Sequence, residues 1–239
     1  MTVGYVQSGV GTRDQKVAAG TGWPYLPAIR GLRFEAHAGD LVYHSKRSLD
    51  VTLAGMLLLL CLPLIGVIAL LIRLDSPGPV FVGQDRVGRQ LRPFRMLKFR
   101  SMVADAELRL DALRHLNQTD GPTFKIRRDP RITHLGLLLR RSSLDELPQL
   151  VNVLRGQMSI VGPRPPFPGE VAADHYRQSL RLRCTPGMTG IWQVSGRSDL
   201  GYEAMVQMDL RYLREASLRT DVAILFRTIP AVISGKGAW

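Results

Sequence analysis

The chain has 239 residues, enough for one domain of ordinary size with an appendage but too few for two full catalytic domains. Its 32 Lys and Arg against 20 Asp and Glu give a formal net charge of +12, which favours polyanions, anionic lipid head groups or phosphorylated substrates as partners. A hydrophobic content of 45% excludes a disordered chain, and two cysteines are too few for a disulfide scaffold or a self-contained zinc site.

Residues 1–45 contain scattered glycines and prolines and show no sustained hydrophobic period. Such a segment is expected to form a mobile or loosely docked N-terminal arm. It contributes no candidate functional residue.

A strongly apolar segment follows the arm. Residues 51–72 carry no charged side chain, and 18 of these 22 residues are apolar. As a continuous helix at about 1.5 Å per residue, the segment would reach roughly 33 Å, enough to cross the hydrocarbon core of a bilayer. A signal peptide is disfavoured, because the segment starts too deep in the chain and no small-residue cleavage site follows it.

The topology of this segment is open from composition alone. Basic residues flank both ends, with Lys46 and Arg47 before it and Arg73 after it, and both flanks therefore match the cytoplasmic side. A re-entrant hairpin broken at Pro63 would keep both ends on that side. Prolines also occur in ordinary transmembrane helices, so a span is the alternative.

A basic region follows the apolar segment. Residues 75–79 predict a turn, and residues 80–82 and 92–102 predict short strands around Gly88. Six basic residues and no acidic residue lie within residues 86–100. This run predicts a rim facing anionic lipid, a phosphate site, or both.

Two amphipathic helices are predicted next. Residues 105–116 alternate apolar and charged side chains at helical spacing, which indicates a structural helix. Residues 121–130 predict a basic loop. Residues 131–141 place leucines along one side of a short helix with arginines at its ends, so this helix could lie in the plane of the lipid head groups.

The segment 140–150 has two interpretations. Ser143 followed by Glu146 matches a capping box, in which the acids only start a helix, although Pro148 would fit better at a first helical position. The chemical interpretation uses the same residues. Adjacent carboxylates at Asp145 and Glu146 would let one attack a phosphorus atom while the other holds a divalent cation.

A proline-framed turn at residues 156–166 presents Arg164. The planar guanidinium suits bidentate binding of phosphate, and the prolines fix the backbone before a ligand arrives. A structural salt bridge is the alternative for this arginine.

Several motifs in this order resemble the bacterial sugar transferase family, the monotopic phosphoglycosyl transferases that initiate surface-glycan assembly. The motifs are KRSLD at 46–50, SPGP at 76–79, KFRSM at 98–102, SLDELPQL at 143–150 and VGPRP at 161–165. The likeness continues through residues 186–190 and 192–197 and through Asp209, Tyr212 and Asp221, and it covers roughly residues 45–239.

The resemblance implies an α/β fold that is rich in helix and has a small sheet. It implies a re-entrant membrane helix over 46–74, broken at Pro63, together with interfacial amphipathic helices. It also implies a compact catalytic domain over 75–239 on the cytoplasmic face of the bacterial inner membrane, and it shifts the expected topology towards re-entrant. This chain has leucine before the proline where many members have serine, which leaves the size of the kink open.

The resemblance also implies the chemistry. The residue matching Asp145 attacks the β-phosphate of a UDP-sugar, releases UMP and forms a phosphosugar-aspartyl intermediate, and polyprenyl (undecaprenyl) phosphate then accepts the phosphosugar. Glu146 would be associated with Mg²⁺. The implied phosphate- or substrate-binding residues are Lys98, Arg100, Arg140, Arg164, Gln193 and Arg197. The C-terminal residues 229–239 resemble members that use UDP-glucose or UDP-galactose in exopolysaccharide pathways.

Two other functions compete with this one, an inactive membrane-tethered scaffold and a module that binds anionic lipid. Nucleic acid is disfavoured as a partner, because aromatic residues are only 7% of the chain and the basic run 86–100 contains two phenylalanines. The apolar segment and the interfacial helices leave room for a membrane homodimer. No motif specifies which sugar is carried.

Overall fold

The computed structural model describes residues 41–120 and 122–237. The N-terminal arm therefore lies outside the described residues up to position 40. The first element is helix α1, which runs for 35 residues from Leu41 to Asp75 and contains the whole apolar segment. It is long and apolar enough to cross a membrane, and only 11% of its most apolar 18-residue window is buried.

Helix α1 differs from the prediction at Pro63. The predicted break in the helix is wrong, because the helix continues through the proline. A proline removes its own N–H bond, while the turns on either side keep theirs and the flanking residues are good helix formers. Whether the helix is re-entrant in a bilayer stays a prediction.

One face of α1 packs against the folded domain along both halves of the helix. Ala54 belongs to the main core with Leu150 and Val153, and Ile68 and Ile72 belong to a second cluster. That second cluster is completed by Phe99 and Leu139. The opposite face is exposed and includes Met56, Leu59, Leu60, Leu62, Leu64, Val67, Leu70, Leu71 and Leu74. Both halves of α1 therefore contact the same folded unit.

Buried polar contacts fix the start of α1. The ammonium of Lys46 donates to the carbonyl of Val161 at 2.7 Å, to the hydroxyl of Tyr212 at 2.8 Å and to the carboxylate of Asp221 at 2.5 Å. Asp50 accepts a hydrogen bond from the backbone N–H of Ile160 at 2.9 Å. The KRSLD motif at 46–50 thus binds the base of the apolar helix to the folded domain.

The sheets are small, as predicted. Strand β1 (Phe81–Val87) pairs antiparallel with β2 (Pro93–Phe99), with Val82 opposite Lys98. Strand β3 (Ser159–Val161) pairs in parallel with β4 (Gly187–Thr189). The described part of the chain is therefore a helix-rich α/β fold with two two-stranded sheets.

Seven further α-helices follow α1 in the described part of the chain. They are α2 (Leu110–Leu113), α3 (His134–Arg141), α4 (Gln149–Leu154), α5 (Pro168–Ala173), α6 (His175–Arg181), α7 (Tyr202–Glu215) and α8 (Leu218–Ser234). The helix predicted over 105–116 shrinks to α2 and a 3₁₀ turn at Arg114–Leu116. None of the residues in α2 is buried, and a helix of this length gains little without a packed apolar face.

Candidate active site

The chain makes a strained turn between α3 and the candidate nucleophile. Ser143 has a φ of +56°, in the left-handed region that few residues other than glycine adopt, and a 3₁₀ turn at Leu144–Glu146 follows it. The predicted capping box is wrong, because the Ser143 side chain makes no cap hydrogen bond. Pro148 directly precedes α4, as its chemistry favours. The turn directs Asp145 inwards.

Asp145 and Glu146 share one lysine. Lys98, on β2, places its Nζ 2.7 Å from Oε1 of Glu146 and 3.5 Å from Oδ2 of Asp145. The Asp145 side chain is 8% exposed, while that of Glu146 is 37% exposed. The adjacent carboxylates predicted from the sequence therefore meet at one cation, with one carboxylate buried and the other open to solvent.

The surroundings of Asp145 and Glu146 shift the pKa values of the two carboxyl groups in opposite directions. Burial raises the pKa of Asp145 above its ordinary value, although the Lys98 ammonium opposes that rise, and the neighbouring Glu146 carboxylate adds to it. Burial also acts on Glu146, but Lys98 and two nearby arginines hold the pKa of that carboxyl below its ordinary value. Glu146 is therefore the more strongly ionised member, and Asp145 depends on its cations to stay charged.

Arg140 supplies a second cation beside Asp145. Its Nε donates to the hydroxyl of Ser101 at 2.9 Å, and burial lowers its pKa while the Asp145 carboxylate raises it. Helix α3 reaches Ser101 because position 136 is glycine: a β-carbon there would lie 2.0 Å from the Ser101 carbonyl oxygen. Arginine stays protonated despite such shifts, so Arg140 remains a positive charge at the site.

Arg164 lies in a larger group of charges. One of its terminal nitrogens donates to both carboxylate oxygens of Glu170, at 3.0 and 3.1 Å. The salt bridge that was the structural alternative for Arg164 is thus present. Arg86 stacks on the ring of Phe167 with its guanidinium carbon 3.3 Å from the ring centroid, and it donates to the carbonyl of Pro165 at 2.9 Å.

Lys125 completes what we call the cation cluster, which consists of Arg86, Lys125 and Arg164. Burial lowers the pKa of Lys125 to about 8, and the charge of Arg164 adds to that effect. The Nε of Arg86 is buried and has no hydrogen-bond partner among the described residues. Glu170 acts on all three cations, while Asp199 acts on Lys125 and Glu146 acts on Arg86. Three buried or half-buried cations in one group are suited to a bound anion.

Gln193 and Arg197 lie on the Glu146 side of the site. Arg197 has a φ of +53°, and its Nε donates to the carbonyl of Gln193 at 3.4 Å. Burial lowers the pKa of Arg197, and the Glu146 carboxylate raises it. The Oε1 of Gln193 is buried without a hydrogen-bond partner among the described residues. Arg197 is thus placed to meet a ligand beside Glu146, whereas Gln193 is joined to it through its backbone carbonyl.

Arg100 is not brought to this site. Its guanidinium is buried and donates to the carbonyls of Ile72, Ser76 and Pro77 and to the Ser76 hydroxyl, at 2.6 to 3.3 Å. These oxygens belong to the end of α1 and the turn after it. The structure therefore gives Arg100 an anchoring contact with α1, where the resemblance implied substrate binding.

Three residues of the site were not singled out from the sequence. Arg86 was visible as part of the basic run 86–100, and Lys125 as part of the loop 121–130, but neither pattern indicates which cation turns inwards. Glu170 lies near the start of α5, where an acidic residue has an ordinary capping role. Only tertiary contacts distinguish these residues from solvated charges.

The acidic side chains of the site can be compared with what the implied Mg²⁺ would need. Among the described residues, no three His, Cys, Asp or Glu side chains come together to form a metal site by themselves. Mg²⁺ is commonly held by one or two carboxylates together with substrate phosphates and water. The partly exposed Glu146, next to the cation cluster, fits that kind of shared site.

The chain is similar to known proteins over the region that contains these motifs. A profile of the bacterial sugar transferase family matches residues 41–235. The exopolysaccharide production protein ExoY of Rhizobium meliloti is 41% identical over 199 residues, which cover 82% of this chain and 88% of ExoY. The undecaprenyl-phosphate galactose phosphotransferase of Salmonella typhimurium is 40% identical over 201 residues, which cover 81% of this chain and 41% of that protein.

A third relative is the UDP-glucose:undecaprenyl-phosphate glucose-1-phosphate transferase of Escherichia coli. It is 40% identical over 204 residues, which cover 81% of this chain and 41% of the relative. The chain thus spans most of ExoY but about two fifths of the two longer proteins.

Proposed function

The chain belongs to the bacterial sugar transferase family, and from that membership and the site geometry we propose that it transfers a hexose-1-phosphate from a UDP-sugar to polyprenyl phosphate and releases UMP. The observation that carries the proposal is the buried Asp145 beside Lys98 and Glu146, next to the cation cluster. The printed names of relatives favour glucose or galactose as the sugar, undecaprenyl phosphate as the acceptor and exopolysaccharide as the product pathway.

In the first step, a carboxylate oxygen of Asp145 attacks the β-phosphorus of the UDP-sugar. The bond from that phosphorus to the bridging oxygen breaks, and UMP leaves with the electron pair. Lys98 and Arg140 keep the carboxylate ionised, as a nucleophile must be. The cation cluster offsets the charge of the diphosphate.

In the second step, a phosphate oxygen of the polyprenyl phosphate attacks the same phosphorus. The aspartyl-phosphate bond breaks, and the product is a polyprenyl diphosphate sugar with Asp145 restored as a carboxylate. Two displacements at one site let two bulky anionic substrates react in turn, without both being held around one phosphorus at once.

We propose that Glu146 holds Mg²⁺ together with the substrate phosphates. When bound, the ion would neutralise charge on the phosphate oxygens. Glu146 suits this role because its pKa is held low and its side chain is open to solvent. Binding would require Lys98 to share or release the Glu146 oxygen that it contacts.

We propose a monotopic attachment to the cytoplasmic face of the bacterial inner membrane. Both halves of α1 contact one folded unit, which is compatible with both ends lying on one side of the bilayer. Helix α8 adds an exposed apolar stripe formed by Leu218, Val222, Phe226, Ile229 and Ile233. With a net charge of +12, this surface would favour anionic lipids, and the apolar faces leave room for a homodimer.

The test is release of UMP by the purified protein in nanodiscs with Mg²⁺ and undecaprenyl phosphate, across UDP-glucose, UDP-galactose and their N-acetylated counterparts. We expect release with at least one donor, loss of release in Asp145→Asn, and loss in excess chelator. Full activity in excess chelator would reject the role of Mg²⁺ but not the proposed transfer. Folded protein that releases no UMP with any of these donors would favour an inactive scaffold or a lipid-binding module.

A further inference from the structure

An open cleft of about 430 Å³ lies beside the active site. Two segments form its walls, one from the loop on either side of Lys125 and one from the 3₁₀ turn that begins at Arg197 and the two residues after it. The lining side chains are mainly polar, namely Gln118, Thr119, Asp120, Arg127, Ser198 and Asp199. None of the mechanistic roles proposed for the site uses these residues.

The cleft is joined to the cation cluster through Lys125. The ammonium of Lys125 donates to the Ser198 hydroxyl at 2.9 Å, and Ser198 is part of the cleft wall. The charge of Lys125 interacts with those of Arg86 and Arg164 in the cluster and with that of Asp199 in the cleft wall. A molecule whose phosphates lie in the cluster can therefore extend into the cleft.

The second connection runs through Arg197. Its charge acts on Glu146, which contacts Lys98 beside Asp145. Arg197 is directly followed by Ser198 and Asp199 in the cleft wall. The cleft therefore begins one residue away from a side chain that the reacting phosphate would meet.

The chemistry of the walls favours a sugar over a nucleobase. Carboxylates, amides and hydroxyls accept and donate the hydrogen bonds that a ring of hydroxyl groups offers. Proteins commonly hold bases by stacking them on aromatic side chains, and none of the described residues that line this cleft is aromatic. Leu200 is the single large apolar side chain among the lining residues.

We propose that this cleft binds the hexose of the UDP-sugar and that Asp199 is a residue that selects among hexoses. The inference rests on the proposed function and deepens it by assigning the sugar to a place. Asp199 is about half-exposed and lines the cleft, so its carboxylate can meet a sugar hydroxyl there. Asp120 also lines the cleft, but it accepts a hydrogen bond from the backbone N–H of Tyr202 at 2.9 Å.

The test compares Asp199→Ala with wild-type protein in nanodiscs, using UDP-glucose, UDP-galactose and UMP as probes. We expect KM for the preferred donor to rise about tenfold or more and the preference between the two donors to narrow, since a charged hydrogen bond to a hydroxyl is lost. The inhibition constant of UMP, which has no hexose, should stay unchanged. That constant also reports that the site remains folded.

Asp111→Ala is the matched control, because Asp111 is also an exposed aspartate paired with an arginine but does not line the cleft. It should leave KM and donor preference as in wild type. Weaker UMP inhibition in Asp199→Ala would overturn the assignment in favour of the nucleoside, and unchanged KM and preference would overturn it as well. Wild-type protein that releases no UMP would instead contradict the proposed function.

Discussion

Asp145 is held between opposing effects at the scale of single residues. Burial and the adjacent Glu146 raise its pKa, and Lys98 and Arg140 lower it. A nucleophilic carboxylate must be ionised, so the cations determine the lowest pH at which the site can react. Lys98 also contacts Glu146, and this one side chain therefore tunes both acids.

Lys98→Met should move the acid limb of the pH profile to higher pH. Losing the ammonium removes an effect that lowers the pKa of Asp145, so the carboxylate protonates at a higher pH than in wild type. The measurement is kcat/KM for UMP release as a function of pH. The total rate should also fall, since Lys98 faces the phosphates in the proposed complex.

Arg95→Met provides the control for Lys98→Met, because Arg95 lies on the same strand but its side chain is 71% exposed. Its acid limb should coincide with that of wild type. An acid limb that is unchanged in Lys98→Met, or that moves to lower pH, would contradict the assignment of Lys98 to the ionisation of Asp145.

At the candidate active site, the sequence predicted which residues take part better than it predicted their backbone conformations. The paired carboxylates and Lys98 stand in recognisable motifs, and the structure brings them together. The left-handed conformation of Ser143 was not foreseeable, because in the sequence Ser143 and Glu146 fit a capping box as well as they fit an active site. Only the contact of Glu146 with Lys98 in the folded chain decides between these two interpretations. Arg86 and Lys125 required knowledge of which loops meet.

At the scale of elements, α1 is held at both ends by polar contacts. Lys46 binds its first turns to β3, α7 and α8, and Arg100 binds its last turn. A helix C-terminus leaves carbonyl groups without intrahelical partners. The buried guanidinium of Arg100 binds the Ile72 carbonyl in the last turn and the Ser76 and Pro77 carbonyls just after the helix. Arg100 is therefore expected to support stability more than substrate binding.

Arg100→Met should lower stability by about 3 kcal/mol, because a buried set of charged hydrogen bonds is lost and carbonyl groups are left without partners. Thermal unfolding in detergent would report a lower Tm, whereas KM for the UDP-sugar should stay near the wild-type value in the folded protein. Arg95→Met should change neither quantity. A raised KM with an unchanged Tm would instead support the substrate-binding role that the resemblance implied.

The topology of α1 can be tested by labelling. In a background with Cys61→Ser and Cys184→Ser, Thr2→Cys and Lys236→Cys would place a single thiol near either end of the chain. If both flanks of α1 are cytoplasmic, a membrane-impermeant maleimide should label neither position in intact spheroplasts and both after lysis. Labelling of Thr2→Cys alone before lysis would show that α1 crosses the bilayer.

The local sequence pattern predicted helices and strands well where the apolar side chains of the segment are buried in the fold. Strand β2 and helix α3 lie within the segments 92–102 and 131–141 that predicted them, and β1 begins within the predicted segment 80–82 but runs on to Val87. The helix expected over 105–116 is reduced to α2 and a 3₁₀ turn, because little of this segment is buried: Leu108 is 87% exposed. Helix α1 continues through Pro63 although the proline removes one backbone hydrogen bond, because a long run of helix-forming residues outweighs that local loss.

The whole molecule combines a large apolar exposed surface with a strong positive charge. The outer face of α1 and the stripe on α8 would bury apolar area in lipid, and the net charge of +12 would draw the protein to anionic head groups and polyanionic substrates. This arrangement would bring a soluble UDP-sugar and a membrane-bound phosphate acceptor to the same carboxylate. The proposed transfer therefore depends on covalent chemistry at Asp145.

The most direct measurement is peptide mass spectrometry of the protein incubated with its preferred UDP-sugar and Mg²⁺ in the absence of acceptor. We predict that the peptide containing Asp145 gains a hexose phosphate, that polyprenyl phosphate removes this adduct, and that Asp145→Asn never acquires it. Full turnover in the presence of acceptor, with no adduct at any time of quenching and with activity retained in Asp145→Asn, would contradict the account.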